Sequence, residues 1–73
     1  MKEQKVINHN GIEIIIVTNI IDPLTELYRA SAEYKDFQDI NVSIHDDKDK
    51  DTAIEKAILK LVNEYPPDVL RHL

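Results

Sequence analysis

The chain begins with two β-branched, apolar segments on either side of an Asn-Gly pair. Lys5-Val6-Ile7 precedes Asn10-Gly11, and a run rich in isoleucine and valine extends from Ile12 to Ile21. Asn-Gly between β-branched segments is typical of a β-hairpin. The pattern therefore predicts a short first strand paired with a long second strand. Because the second run is apolar at positions of both parities, we expect both of its faces to be covered, either because it is a central strand or because a partner buries its second face.

The segment from Leu24 to Phe37 follows a turn at Asp22-Pro23 and fits two periodicities. Its larger apolar residues lie at helical spacing, whereas residues 28 to 35 alternate between apolar and polar without exception. We favour a strand, because Ser31 interrupts the helical stripe and the turn returns the chain beside the second strand. Several residues with high helix propensity keep the helical alternative open.

The alternation of apolar and polar residues resumes after a polar segment at residues 36 to 39. It predicts a further strand at residues 40 to 44. Ile40, Val42 and Ile44 would share one face of it, and the acidic stretch from Asp46 to Asp51 would end it. From Thr52 onward, apolar residues recur three or four positions apart, which predicts an amphipathic helix from Asp51 to Glu64. The residues expected to pack this helix on the sheet are Ile54, Ala57, Ile58 and Leu61.

Two caps fit the start of this helix. Either Asp49 caps it with Thr52 at the third helical position, or Thr52 caps it and Glu55 completes a capping box. At the other end, Tyr65-Pro66-Pro67 stops the helix. We expect the last residues, 68 to 73, to add one further turn.

These elements predict a single α+β domain over residues 1–73. A three- or four-stranded antiparallel sheet would be followed by one C-terminal helix, packed on one face of the sheet. The length of 73 residues leaves no room for a second core. A core of this size stabilises a chain by only about 3 to 5 kcal/mol, which favours self-association or a covering partner.

Composition narrows the classes of function. Fourteen Asp and Glu against nine Lys and Arg give a formal net charge of -5, which disfavours binding to nucleic acid or to a membrane. The absence of cysteine excludes disulfides and thiolate metal sites. No apolar run would span a bilayer, and the polar start has no signal-peptide pattern, so we expect a cytoplasmic protein.

No motif predicts catalysis, a metal or a cofactor. Asp47, Asp49 and Asp51 match the first positions of an EF-hand loop, but Thr52 replaces its glycine and Ile58 its last glutamate. The three histidines, His9, His45 and His72, have no zinc-binding spacing. A single glycine cannot form a phosphate-binding loop, and no serine has a nucleophile-elbow context. We therefore expect a protein that is not an enzyme.

Several stretches resemble the N-terminal domain of HicB-type antitoxins, a β-β-β-α unit. They are the turn and strand from Asp22 to Tyr34 and the helix start from Asp49 to Ala57, together with residues 12 to 17 and 41 to 44. The proline and glycine residues that the family carries between its second and third strands are absent here. The resemblance implies a non-catalytic module that dimerises and covers a basic, RNA-cleaving toxin. No DNA-binding domain follows Leu73, so repression of an operon is not implied.

The sequence thus predicts a small protein-binding module, antitoxin-like or inhibitor-like, directed at a small basic protein. An acidic surface would steer such a partner toward it. A homodimer of purely structural role is the main alternative, and a nucleic-acid-binding module similar to a double-stranded-RNA-binding domain is a weaker one. We expect a homodimer, through the strands or the C-terminal tail, in which the second copy meets the face of the sheet that the helix does not cover. The residues expected at an interface are Ile15, Val17, Leu27, Arg29, Val69, Leu70 and Leu73.

Overall fold

A computed structural model describes residues 2–37 and 42–66 of the chain. The strands pair with their neighbours in chain order and run antiparallel throughout. The predicted α+β class, with one C-terminal helix after the sheet, is confirmed, and the sheet has four strands. The elements are β1 (Lys2–His9), β2 (Ile12–Asp22), β3 (Leu27–Tyr34), β4 (Ser43–Asp47) and α1 (Lys50–Glu64).

The hairpin between β1 and β2 turns at the predicted Asn-Gly pair. Asn10 and Gly11 have φ angles of 53° and 86°, the left-handed region that a tight hairpin turn requires. The Gly11 amide donates a 3.0 Å hydrogen bond to Oδ1 of Asn8. The prediction of a short first strand was wrong: pairing continues to Lys2, opposite Asn19. Backbone pairing does not need apolar side chains, so the polar start gave no signal for it.

The segment with two periodicities is a strand, as favoured. β3 places Ala30, Ala32 and Tyr34 fully buried on one face of the sheet. Ahead of it, Oδ1 of Asp22 accepts a 3.1 Å hydrogen bond from the Leu24 amide, and this stabilises the turn that returns the chain beside β2. Long-range pairing with β2 therefore outweighs the helix propensity of the alanines.

The strand predicted at residues 40 to 44 lies further along the chain. β4 begins at Ser43 and continues through Asp46 and Asp47, which were expected to end it. Asp46 pairs with Arg29 of β3, and opposite charges on neighbouring strands stabilise that register. Val42 and Ile44 are exposed, because Ser43 is the residue that points toward the helix. Ile40 lies outside the described residues.

Of the two N-caps predicted for the helix, the first is the one observed. Asp49 is the N-cap. A single carboxylate oxygen of Asp49, Oδ2, accepts two hydrogen bonds, one of 3.0 Å from the Thr52 amide and one from the Thr52 hydroxyl. The helix ends at Glu64, where the Tyr65 amide still donates to the Leu61 carbonyl at 2.9 Å. The expected last turn, residues 68 to 73, lies outside the described residues.

The core lies between α1 and the face of the sheet that includes the buried alanines of β3. The helix packs mainly on β3 and β4 and only slightly on β2. β2 is an inner strand of the sheet, as one of the two expectations requires. Among the described residues only one of its faces meets the helix, so cover of the other face by a partner stays a prediction. Ile58 is partly buried and packs against the core, and Ala53 is a core residue that was not predicted. The core residues are Ile14, Ile16, Ala30, Ala32, Tyr34, Ala53, Ile54, Ala57 and Leu61.

Candidate protein-interaction surfaces

The face of the sheet opposite the helix, here called the open face, carries an apolar stripe. Ile15 and Val17 alternate with the buried residues of β2, so their side chains point away from the helix. Val6 of β1 pairs with Ile15, and Ile44 of β4 lies two strands from Val17 in the same row. The side chains of Val6 and Ile44 are 48% and 47% exposed. The apolar stripe is defined as Val6, Ile15, Val17 and Ile44.

Four of the residues predicted at an interface fall on this open face. Ile15 and Val17 are in the apolar stripe, while Leu27 and Arg29 point the same way from β3. The other three, Val69, Leu70 and Leu73, lie outside the described residues. Sequence reasoning missed Val6 and Ile44, although the hairpin register and the alternation in β4 would have placed both on this face once the strand bounds were known.

Ion pairs border the apolar stripe at both ends of the sheet. Arg29 Nε and Nη2 donate to the two carboxylate oxygens of Asp46 at 2.8 and 2.9 Å. Near the other end, Lys35 Nζ lies 3.2 Å from a carboxylate oxygen of Glu13. The hydrogen bonds from Arg29 hold the pKa of Asp46 below its ordinary value. Fork geometry of this kind is well defined even at a surface, so we expect the Asp46 carboxylate to stay in place.

Among the described residues, carboxylates without a Lys or Arg partner cluster where the helix begins. This region, the acidic end, contains five carboxylates, none of which forms an ion pair with Lys or Arg in the described part of the chain. Lys48 lies among them and offsets one of the five. The position of the carboxylates follows from the topology, because the ends of β2 and β4 and the starts of β3 and α1 meet at one end of the sheet. The acidic end is defined as Asp22, Glu26, Asp47, Asp49 and Asp51.

Three of these carboxylates already have structural roles. Asp22 accepts an amide hydrogen bond that stabilises the turn before β3. Asp49 caps the helix, and its hydrogen bonds with Thr52 lower its pKa. Asp47 Oδ1 accepts a 3.0 Å bond from the Asp49 amide, and Oδ2 lies 3.8 Å from His45 Nε2. The calcium-like spacing therefore spans a strand end, a cap and a first helical turn, which is a different arrangement from an EF-hand loop.

A cleft adjoins the acidic end on the helix side of the sheet. The helix leaves this part of β1 and β2 uncovered, and a cavity of about 280 Å³ lies there. Lys50 Nζ lies 2.8 Å from Glu3 Oε1, and this bond lowers the pKa of Glu3 and raises that of Lys50. The ion pair thus bridges helix and sheet at the mouth of the cleft. The lining residues are Glu3, Thr18, Asn19, Ile20, Tyr28 and Lys50.

Candidate chemistry is sparse. Residues 2–37 and 42–66 contain no group of three or more His, Cys, Asp or Glu side chains arranged to hold a metal ion. His9 and His45 lie in β1 and β4, the two outer strands of the sheet, and His72 lies outside the described residues. Within the part of the chain described, α1 is neither long nor apolar enough to cross a membrane.

The chain matches no family model, no curated protein and no solved structure. The HicB resemblance therefore stays a prediction that rests on the residues quoted for it.

Proposed function

We propose that this chain is a small, non-catalytic protein-binding module of the inhibitor or antitoxin type. It binds a basic partner protein through the acidic end and the adjoining cleft. The observation that carries this proposal is the concentration of carboxylates without a Lys or Arg partner beside a cavity whose lining combines polar groups with Ile20 and Tyr28. The resemblance to HicB-type antitoxins, which cover a basic toxin, points the same way.

Charge explains why a basic protein is the preferred partner. A net charge of -5 raises the encounter rate with a positively charged surface and opposes contact with RNA or DNA. Glu26 and Asp51 are exposed, so they are available to an incoming cation without prior rearrangement. Most of the specificity would come from the cleft, because exposed ion pairs alone add little affinity.

The cleft suits the side chain of a lysine or arginine. Ile20 and the ring of Tyr28 offer apolar surface for the aliphatic stem of such a residue. A cation in the cleft would lie close to the face of Tyr28 and to Glu3, an arrangement that combines cation–π attraction with an ion pair. It would compete with Lys50 for the Glu3 carboxylate, and that competition should be detectable as a change in the environment of Lys50.

The test is a titration of the isotope-labelled chain with a short peptide rich in lysine and arginine, followed by amide NMR at low ionic strength. The proposal predicts shifts at Thr18, Tyr28 and Lys50 and a binding constant that weakens as salt is added. Asp51→Lys is expected to weaken binding more than Glu64→Lys. Both substitutions change the net charge equally, but Glu64 lies at the far end of the helix.

Equal effects of these two variants would contradict the proposal, because they would mean that net charge alone attracts the peptide. Shifts spread over the outer surface of the helix would contradict it as well. Circular dichroism of each variant checks that the fold is retained, since Asp51 lies in the first helical turn and a lysine there is unfavourable to the helix dipole.

A further inference from the structure

We infer that the open face binds a second copy of this chain, so that the protein is a face-to-face homodimer. The inference does not depend on the basic partner, because it concerns the opposite surface of the sheet. A four-stranded sheet covered on one side leaves its other side to water, and the apolar stripe there is only half-buried. Removing it from water would contribute favourable free energy to association.

Charge favours a second copy over a basic partner at this face. Up to the bulge near Ile21, the charged strand residues of the open face are three cations and three anions. Two cation–anion pairs are already satisfied within the chain, Arg29 with Asp46 and Lys35 with Glu13. The two remaining residues, Lys2 and Glu33, have opposite signs. This part of the face is therefore neutral, and Asp22, which pairs with Leu27 beyond the bulge, adds one negative charge. In a chain of charge -5, a second copy accordingly meets little net repulsion at this face.

A two-fold dimer of the open face would bring some complementary residues together, and it would place Lys2 over Val6 and Asn19 over Ile15. A two-fold axis along the central row, across the strands, would place Val17 over Val17 and Ile44 over Ile44 of the second copy. The same axis lays Arg29 over Glu33 of the other chain, which is the isologous pairing expected of a symmetric dimer. The three rows are Lys2, Asn19, Arg29, Asp46; then Gln4, Val17, Ser31, Ile44; then Val6, Ile15, Glu33.

The area of the open face sets the expected strength of dimerisation. Four strands at about 4.8 Å spacing, with an average length of about 26 Å, present about 500 Å². Two such faces bury about 1,000 Å², the lower limit for a specific interface. The dimer should accordingly be reversible and dissociate on dilution into the micromolar range. Packing of this kind leaves the acidic ends and the clefts of both copies exposed.

Sedimentation equilibrium of the full chain tests the inference, with a matched pair of substitutions. Ile44→Lys and Leu59→Lys each place a charge at an aliphatic residue, 47% and 52% exposed respectively. Ile44 lies on the open face and Leu59 on the outer surface of the helix. The wild type and Leu59→Lys should form dimers with the same dissociation constant, and Ile44→Lys should weaken dimerisation by at least about tenfold.

A second variant tests the two-fold axis itself. Since the chain has no cysteine, Val17→Cys and Leu59→Cys each introduce a single thiol, and a short bismaleimide should link only the Val17 variant into a covalent dimer. A wild type that stays monomeric at high micromolar concentration would overturn the inference. A dimer that Leu59→Lys disrupts and Ile44→Lys does not would equally overturn it, because the helix would then be the interface.

Discussion

The hydroxyl of Tyr34 donates a 2.6 Å hydrogen bond to the main-chain oxygen of Tyr65. The bond joins the last paired residue of β3 to the C-cap residue that directly follows α1. Tyr34 is fully buried, and burial raises its pKa above the ordinary value of 10.0. A helix C-terminus leaves carbonyl groups without a helical partner, so this side chain both fills the core and satisfies one of them.

Tyr34→Phe should lower the free energy of unfolding by about 1 kcal/mol, since it removes the hydrogen bond but keeps the ring. Urea denaturation followed by circular dichroism measures the change. Tyr28→Phe is the control, because Tyr28 is partly exposed and lies at the cleft; its effect should be smaller. A Tyr34→Phe variant as stable as the wild type would mean that the bond contributes nothing in water.

The Asp49 N-cap leads to a prediction about how the stability of the fold depends on pH. Its hydrogen bonds with Thr52 hold the pKa of Asp49 below 3.8, so this contribution to stability is present above about pH 4 and is lost as the pH falls through the lowered pKa. Asp49→Asn keeps a capping side chain without the ionisation. It should melt close to the wild-type temperature at neutral pH and lose less stability on acidification.

Asp49→Ala completes that series, because it removes the cap at every pH. Its melting temperature should lie below that of the wild type at neutral pH. If thermal melts of Asp49→Ala and the wild type coincide at neutral pH, or if Asp49→Asn shows the full acid sensitivity, the cap is not the source of the effect.

Local chemistry was sufficient to predict most of this fold. The Asn-Gly turn and the isoleucine-rich run predicted the first hairpin. Strict alternation predicted β3, and a 3.6-residue period predicted α1. In each of these segments, side-chain pattern and backbone preference agree. The Asp49 cap was one of two alternatives, and the sequence could not separate them because Thr52 is a good cap as well.

The features of the fold that were not predicted depend on contacts between residues distant in the sequence. β4 extends through Asp46 because Arg29, seventeen positions earlier, pairs with it, and no local pattern reports such a partner. Ala53 is buried and Ile58 only partly so, because the helix lies mainly over β3 and β4 and not over the middle of the sheet. The open face was predicted in part. The apolar residues of both parities in β2 indicated a second copy on the face away from the helix, but Val6 and Ile44 could be assigned to that face only from the strand register.

Two leucines in α1 provide a test of the packing. Leu61 is fully buried, whereas Leu59 is 52% exposed. Leu61→Ala should cost about 2 to 5 kcal/mol, enough to unfold most of a domain of this size, and Leu59→Ala should change stability by less than about 0.5 kcal/mol. Thermal and urea denaturation of both variants measures the contrast. Similar costs for the two substitutions would show that the helix presents a different side to the sheet.

Ser43 offers the opposite case, a substitution that should stabilise. Its hydroxyl is buried between β4 and the helix and has no hydrogen-bond partner. Ser43→Ala removes an unsatisfied polar atom and should raise the free energy of unfolding by about 1 kcal/mol. Denaturant unfolding at equilibrium measures it, and a loss of stability on substitution would show that the hydroxyl is bonded in solution.

The central claim is that the open face of the sheet is an interface. A dilution series of the isotope-labelled wild-type chain, followed by amide NMR, tests it most directly. The account predicts concentration-dependent shifts at Val6, Val17 and Ile44 and constant shifts at Leu59 and Lys60. Spectra that do not change across the accessible concentrations, or changes confined to the helix, would contradict it.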